Sequence, residues 1–157
     1  MQLKELTKDE FNNLTDLNKI LCNVEYPRRF ALLTTAEYTE SFGICWESDI
    51  IQPQIIDDEE SPFLWLGVDR QIIAVKKDKP KISVAMKLQS NLLELKKIKD
   101  LILCRCELEI ICFSIYGFLT YFQNLPEISE SFIVKSNKIT INLIDENSFI
   151  LPEFLLK

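Results

Sequence analysis

Five cysteines, a run of four acids and a complete absence of histidine decide what chemistry this chain can attempt. Without histidine the commonest general base is missing, and with it the Ser-His and Cys-His nucleophile pairs and every metal site that needs an imidazole. Cys104, Cys106 and Cys112 come nearest to a metal cluster. Structural zinc sites pair cysteines two to four residues apart and need four ligands, so this spacing fits core packing better. With Cys22 and Cys45 the count is odd and follows no disulfide framework, as for reduced thiols.

The acids Asp57-Asp58-Glu59-Glu60 could supply a carboxylate pair, ligands for a hard cation, or a patch for a basic partner. No alternating acidic ligands with a central glycine accompany them, which argues against calcium. Gly43, Gly67 and Gly117 are the only glycines and lie far apart, so no glycine-rich loop can cradle a phosphate. Glu25, Tyr26, Arg28 and Arg29 form a small polar group that reads as a strand entrance, and Trp46 and Trp65 sit in alternating apolar runs that read as core. No cofactor is expected.

The elements that must carry these residues are mostly strands. Thr7 and Glu10 make a capping box, and Phe11, Leu14, Leu17 and Leu21 form an apolar stripe, so a helix is predicted over about 7–23. After Pro27 the period is two. Strands are predicted at 30–35, 41–47, 63–68, 71–76, 81–88, 118–122, 132–135, 138–144 and 149–151. Turns are expected at Lys77-Asp78-Lys79-Pro80, Gly117 and Ser136-Asn137. In the strand over 81–88, Ile82, Val84, Met86 and Leu88 should point inward. Residues 91–97 suit either a strand or a short helix, with strand favoured. Residues 101–113 are too long for one ordinary strand and must be bent by a bulge or folded near Cys106-Glu107. A long exposed acidic loop is expected over about 48–62.

These features predict a mainly β chain over 1–157, a single domain of antiparallel sheets arranged as a sandwich or as a propeller-blade-like meander. Hydrophobic residues at 47% and charged residues at 27% fit a folded protein and not a disordered one. The stretch 101–122 has the length of a membrane helix, but Arg105, Glu107 and Glu109 alternate with apolar residues inside it, so no membrane span is expected. The charged opening Met1-Gln2-Leu3-Lys4-Glu5 leaves no room for a secretory signal, which predicts a cytoplasmic protein. A net charge of −6 has the wrong sign for direct nucleic-acid binding and suits a basic partner.

Leu101 to Glu127, with a strand at 108–113, a turn at Gly117 and a strand at 118–122, resembles one blade of a β-propeller; the chain has length for two or three such units. As a whole the short, acidic, histidine-free chain is similar to bacterial immunity proteins of contact-dependent growth inhibition and related toxin systems. That resemblance implies binding without turnover: a cognate toxin domain, of the kind that is often a nuclease, whose basic cleft the immunity protein occludes. The residues expected to meet it are Glu47, Asp49, Asp57, Asp58, Glu59 and Glu60. A structural or assembly subunit acting through a sheet edge or apolar face is the rival reading, and an enzyme working through carboxylates alone the third.

Overall fold

The computed structural model describes residues 2–14, 20–22, 24–34 and 41–156. They form four consecutive sheets and one short helix, so the chain is mainly β and dominated by antiparallel pairs. Sheet I holds β1 (Gln2–Leu6), β2 (Ile20–Cys22), β3 (Arg29–Thr34) and β4 (Ser41–Trp46) in the order β1-β3-β4-β2, with β2 parallel to β4. Sheet II is the meander β5 (Gln54–Asp57), β6 (Phe63–Val68), β7 (Gln71–Lys76) and β8 (Lys81–Lys87). Sheet III repeats that pattern with β9 (Leu92–Ile98), β10 (Leu101–Cys106), β11 (Glu109–Ser114) and β12 (Leu119–Asn124). Sheet IV has β13 (Ser129–Lys135), β14 (Lys138–Leu143) and β15 (Ser148–Ile150), followed by a 3-10 turn over Glu153–Leu156.

Successive sheets stack face to face. Because strand side chains alternate, the central strands of sheets II and III feed two apolar layers at once. In β6, Leu64, Leu66 and Val68 pack against Ala31, Leu33, Ile44 and Trp46 of sheet I, while Phe63 and Trp65 face the other way. In β10, Ile102, Cys104 and Cys106 meet that second face, and Leu101 and Leu103 join Ile139, Ile141 and Leu143 of sheet IV. Strands buried on both sides read as unbroken apolar runs, which is how residues 101–113 come to mimic a membrane helix. They are a hairpin folded at Glu107-Leu108, and among the described residues no helix is long and apolar enough to cross a membrane.

Four blade-sized sheets are present where the chain length suggested two or three. The expected turns occur at Lys77–Pro80, at Gly117 (φ 85°) and at Ser136-Asn137, whose φ angles of 49° and 61° suit a tight hairpin. Trp46 and Trp65 are fully buried, and residues 92–98 are a strand.

Three expectations are corrected. The helix α1 covers only Lys8–Asn12: its Thr7–Glu10 capping box forms, but Ile20–Cys22 is strand β2, and Leu17 lies outside the described residues. Phe11 and Leu14 pack on the outer face of sheet I over Gly43, where a Cβ would come within 3.0 Å of Phe11, whereas Leu21 enters the layer between sheets I and II. A helical stripe was therefore two separate anchors, and pairing with β4 overrides helix propensity at 20–22. The stretch 48–62 is not all loop: Ile55 and Ile56 pack into the two layers flanking sheet II and draw Gln54–Asp57 into strand β5. Ile82 is exposed on the edge strand β8, because the register shifts between Ala74 and Val75 and leaves Val84 and Met86 as the inward pair.

Candidate functional site

The sheet stack has two ends, and the six carboxylates expected to meet a partner are divided between them. Asp57 ends β5 and Asp58 to Glu60 follow it at one end; Glu47 and Asp49 follow β4 at the other, separated by about 17 Å of strand along β6. The structure does not bring them together.

At the first end the acidic run is engaged within the molecule. Lys77 Nζ contacts Asp57 Oδ1 at 2.7 Å and donates to the Asp58 carbonyl at 2.9 Å. Lys97, on β9, reaches across to Asp58 Oδ1 at 2.7 Å and Glu60 Oε2 at 2.5 Å, so the run ties sheet II to sheet III. Lys97's hydrogen bond holds the Asp58 carboxyl below the ordinary aspartate range, and the Asp58 and Glu60 carboxylates raise Lys97 in return. Four carboxylates against two ammonium groups leave two negative charges, and Glu59 has no ion-pair partner among the described residues.

A depressed Asp58 contributes stability above its unfolded-state pKa that is lost as pH falls through the folded value. A raised Lys97 contributes stability at ordinary pH that is lost as pH rises through its folded value. Lys97→Met should therefore flatten both limbs of the profile of urea midpoint against pH. Unchanged limbs would show that the cluster adds nothing to the fold.

The other end carries an open groove of about 730 Å³ running across the ends of sheets I, II and III. Side chains fix the turns at 47–48, 89–91 and 107–108 that line it, and the segment at Tyr26 and Arg28 is tied by the Arg28 N–H donating to the Trp46 carbonyl at 2.9 Å. Asp69 sits in the β6–β7 turn at φ 48°, and its carboxylate accepts the Glu47 N–H at 2.6 Å and the Ser48 N–H at 3.3 Å. Glu109, at the start of β11, accepts the N–H groups of Gln89 (2.7 Å) and Ser90 (3.2 Å). Ser90 Oγ accepts the Leu108 N–H at 3.0 Å, and Glu107 accepts the Asn91 backbone and side-chain N–H groups. At the next junction Arg105, 8% exposed, donates to the Ser129 carbonyl at 3.0 Å, and Ser129 Oγ donates to the Cys106 carbonyl at 2.6 Å. Buried polar groups thus stiffen the backbone that frames the groove.

On that frame stand exposed side chains suited to contact. Tyr26 is 71% exposed and Leu108 is 46% exposed. Arg28 makes a loose pair with Asp49 at 3.5 Å, and Arg70 has no ion-pair partner among the described residues. Glu47 and Arg70 also line an adjoining hollow of about 460 Å³, so the two form one continuous surface. Arg29, by contrast, does begin strand β3, paired with Glu5 and lying over the Trp46 ring. Tyr26 and Arg28 belong to the polar group Glu25, Tyr26, Arg28 and Arg29 that flanks Pro27, and Leu108 was signalled only by the interruption of an apolar run.

All five thiols are buried. Burial pushes Cys112 up to about 12 and raises the other four, so they are poor nucleophiles and poor ligands. Cys104 and Cys106 face sheet II and Cys112 faces sheet IV, and among the described residues no three acidic, thiol or imidazole groups converge on a cation position. No protein-family model matches the chain, and no curated protein matches it.

Proposed function

We propose that the chain is a non-catalytic immunity protein that seats a basic cognate toxin domain, of the nuclease kind, against the groove at the Glu47 end of the sheet stack. The observation that supports this reading is the groove itself: exposed Tyr26 and Leu108 beside Glu47, whose N–H the buried Asp69 holds, with Asp49 paired to the lining residue Arg28, in a chain of net charge −6. Tyrosine and arginine are the residues that dominate binding energy at protein interfaces, and a framed groove loses little entropy when a partner orders it. The acidic surround speeds encounter with a positive cleft, and in this reading Glu47 and Asp49 take the place of the substrate phosphates. The Asp57 to Glu60 run serves the fold first, through Lys77 and Lys97, and offers Glu59 as a peripheral charge.

The reading requires a toxin domain encoded next to this chain, and the test is co-expression with that domain. Growth should be rescued by the wild-type chain, and a toxin that remains equally lethal in its presence removes the proposal. Within a rescued pair, Tyr26→Ala combined with Glu47→Lys should weaken the complex by about a hundredfold, with affinity falling steeply in salt and the urea midpoint unchanged. Glu59→Lys should cost about tenfold at most. Titration calorimetry distinguishes these, and the reverse ranking would move the interface to the other end of the stack.

A further inference from the structure

The chain has four arginines, and three of them face a carboxylate. Arg28 meets Asp49, Arg29 meets Glu5 and Arg105 meets Glu94. Arg70 is the exception. Its side chain is exposed in the β6–β7 turn and joins no ion pair among the described residues. The backbone that carries it is pinned: the Asp69 carboxylate holds the Glu47 and Ser48 N–H groups, the Asp69 carbonyl accepts the Leu92 N–H at 2.6 Å, and the Arg70 carbonyl accepts the Leu88 N–H at 2.8 Å.

Glu47 stands across the same Asp69 carboxylate, half-buried, and it too has no ion-pair partner among the described residues. Arg70 and Glu47 both line the groove of about 730 Å³ and the adjoining hollow of about 460 Å³, so they form the wall that the two share. A fixed base and a fixed acid therefore stand side by side without being paired.

Taking the groove as a partner surface, we infer that Arg70 receives a carboxylate of a protein partner, next to the partner cation that meets Glu47, so that the site selects an acid set beside a base. A guanidinium is a planar fork of donors that fits a carboxylate or a phosphate in bidentate fashion. Charge decides between the two. Glu25, Glu47 and Glu107 line the same hollows against Arg28 and Lys87, so a phosphate bringing about two negative charges meets repulsion in a chain already at −6. A carboxylate carried beside a lysine or arginine adds no net charge and leaves Glu47 its cation. The doublet also discriminates: a partner that is only basic would press like charge against Arg70, which costs affinity.

Titration of the full chain with two capped tripeptides, acetyl-Lys-Asp-Lys-amide and acetyl-Lys-Asn-Lys-amide, followed at the Arg70 Nε–H resonance, tests this. The aspartate peptide should bind at least about fivefold tighter, although simple attraction to an acidic chain favours the more positive asparagine peptide. Arg70→Gln should abolish that preference, Arg70→Lys should retain only part of it, and Glu47→Gln should weaken both peptides alike. Equal affinity, a preference for asparagine, no binding of either peptide, or tighter binding of inorganic phosphate than of the aspartate peptide overturns the inference. So does a preference that survives Arg70→Gln. Should that variant fail to fold, the wild-type resonance decides: it must move with the aspartate peptide and stay with the asparagine one. A peptide preference without rescue from the neighbouring toxin keeps the doublet and removes the immunity reading, and rescue without the preference does the reverse.

Discussion

Trp65→Ala is expected to lower the stability of the chain by about 3–5 kcal/mol, enough to leave a typical domain partly unfolded at ordinary temperature. Trp65 is fully buried in the layer between sheets II and III. Its ring lies 5.2 Å from the Phe113 ring and meets Phe63 edge-on at 6.3 Å, so one truncation opens a cavity and removes two aromatic contacts. The neighbours cannot collapse inward. At Gly67, two residues along the strand, an added Cβ would come within 2.3 Å of Leu92 Cδ2, so the layer is already packed to the backbone there. With a denaturant slope of about 2 kcal/mol per molar urea, the midpoint should fall by about 2 M. Trp65→Phe should cost far less than its change in volume suggests, because the indole N–H meets no protein acceptor among the described residues. A Trp65→Ala loss below about 1 kcal/mol would show that the layer relaxes and that the stack is not close-packed.

The strand pattern was legible because alternation reports burial directly wherever one face is wet. Lys138–Leu143 shows this well: Ile139, Ile141 and Leu143 are buried in one layer, while Lys138, Thr140 and Asn142 alternate with them on the more exposed side. Where both faces are buried, as in β10 and β11, the burial pattern no longer alternates, and only the charges Arg105, Glu107 and Glu109 betrayed the strands, Arg105 and Glu109 being held inside by hydrogen bonds. The helix over 7–23 misled for the opposite reason. Phe11, Leu14 and Leu21 fall at helical spacing although they serve different layers, and one turn of helix suffices to place the first two.

The acidic run drew attention because neighbouring like charges are conspicuous in one dimension. Its partners Lys77 and Lys97 lie 20 and 39 residues from Asp57 and Asp58, and no local pattern announces that they converge. The groove was hidden for the same reason. Its lining comes from five separate segments, each supplying two or three ordinary residues, and only the stacking of three sheets sets them side by side. Of the residues expected to meet a partner, Glu47 was therefore placed by its strand and not by its charge.

Glu109→Ala joins the fold to the groove most directly, and it is expected to cost about 3 kcal/mol or more. Glu109 is 1% exposed, and its carboxylate takes two backbone N–H groups, at Gln89 and Ser90, where the chain crosses from sheet II to sheet III. Removing it leaves both donors without their acceptor beside a new cavity, and an orphaned buried donor costs more than a hydrogen bond gains. Glu109→Gln keeps one acceptor oxygen but brings an amide that needs its own partner, so it should fall between wild type and alanine. The consequence for binding is specific. Ser90 holds the Leu108 N–H, and Asn91 holds Glu107, so loosening residues 89–91 should disorder that side of the groove. Glu109→Ala should then weaken partner binding even at temperatures where the chain stays folded, whereas Trp65→Phe should leave binding untouched. Urea titration and calorimetry of the two variants separate these effects. A Glu109→Ala chain within about 0.5 kcal/mol of wild type would mean that water replaces the carboxylate, and that the frame of the groove is softer than its hydrogen bonds imply.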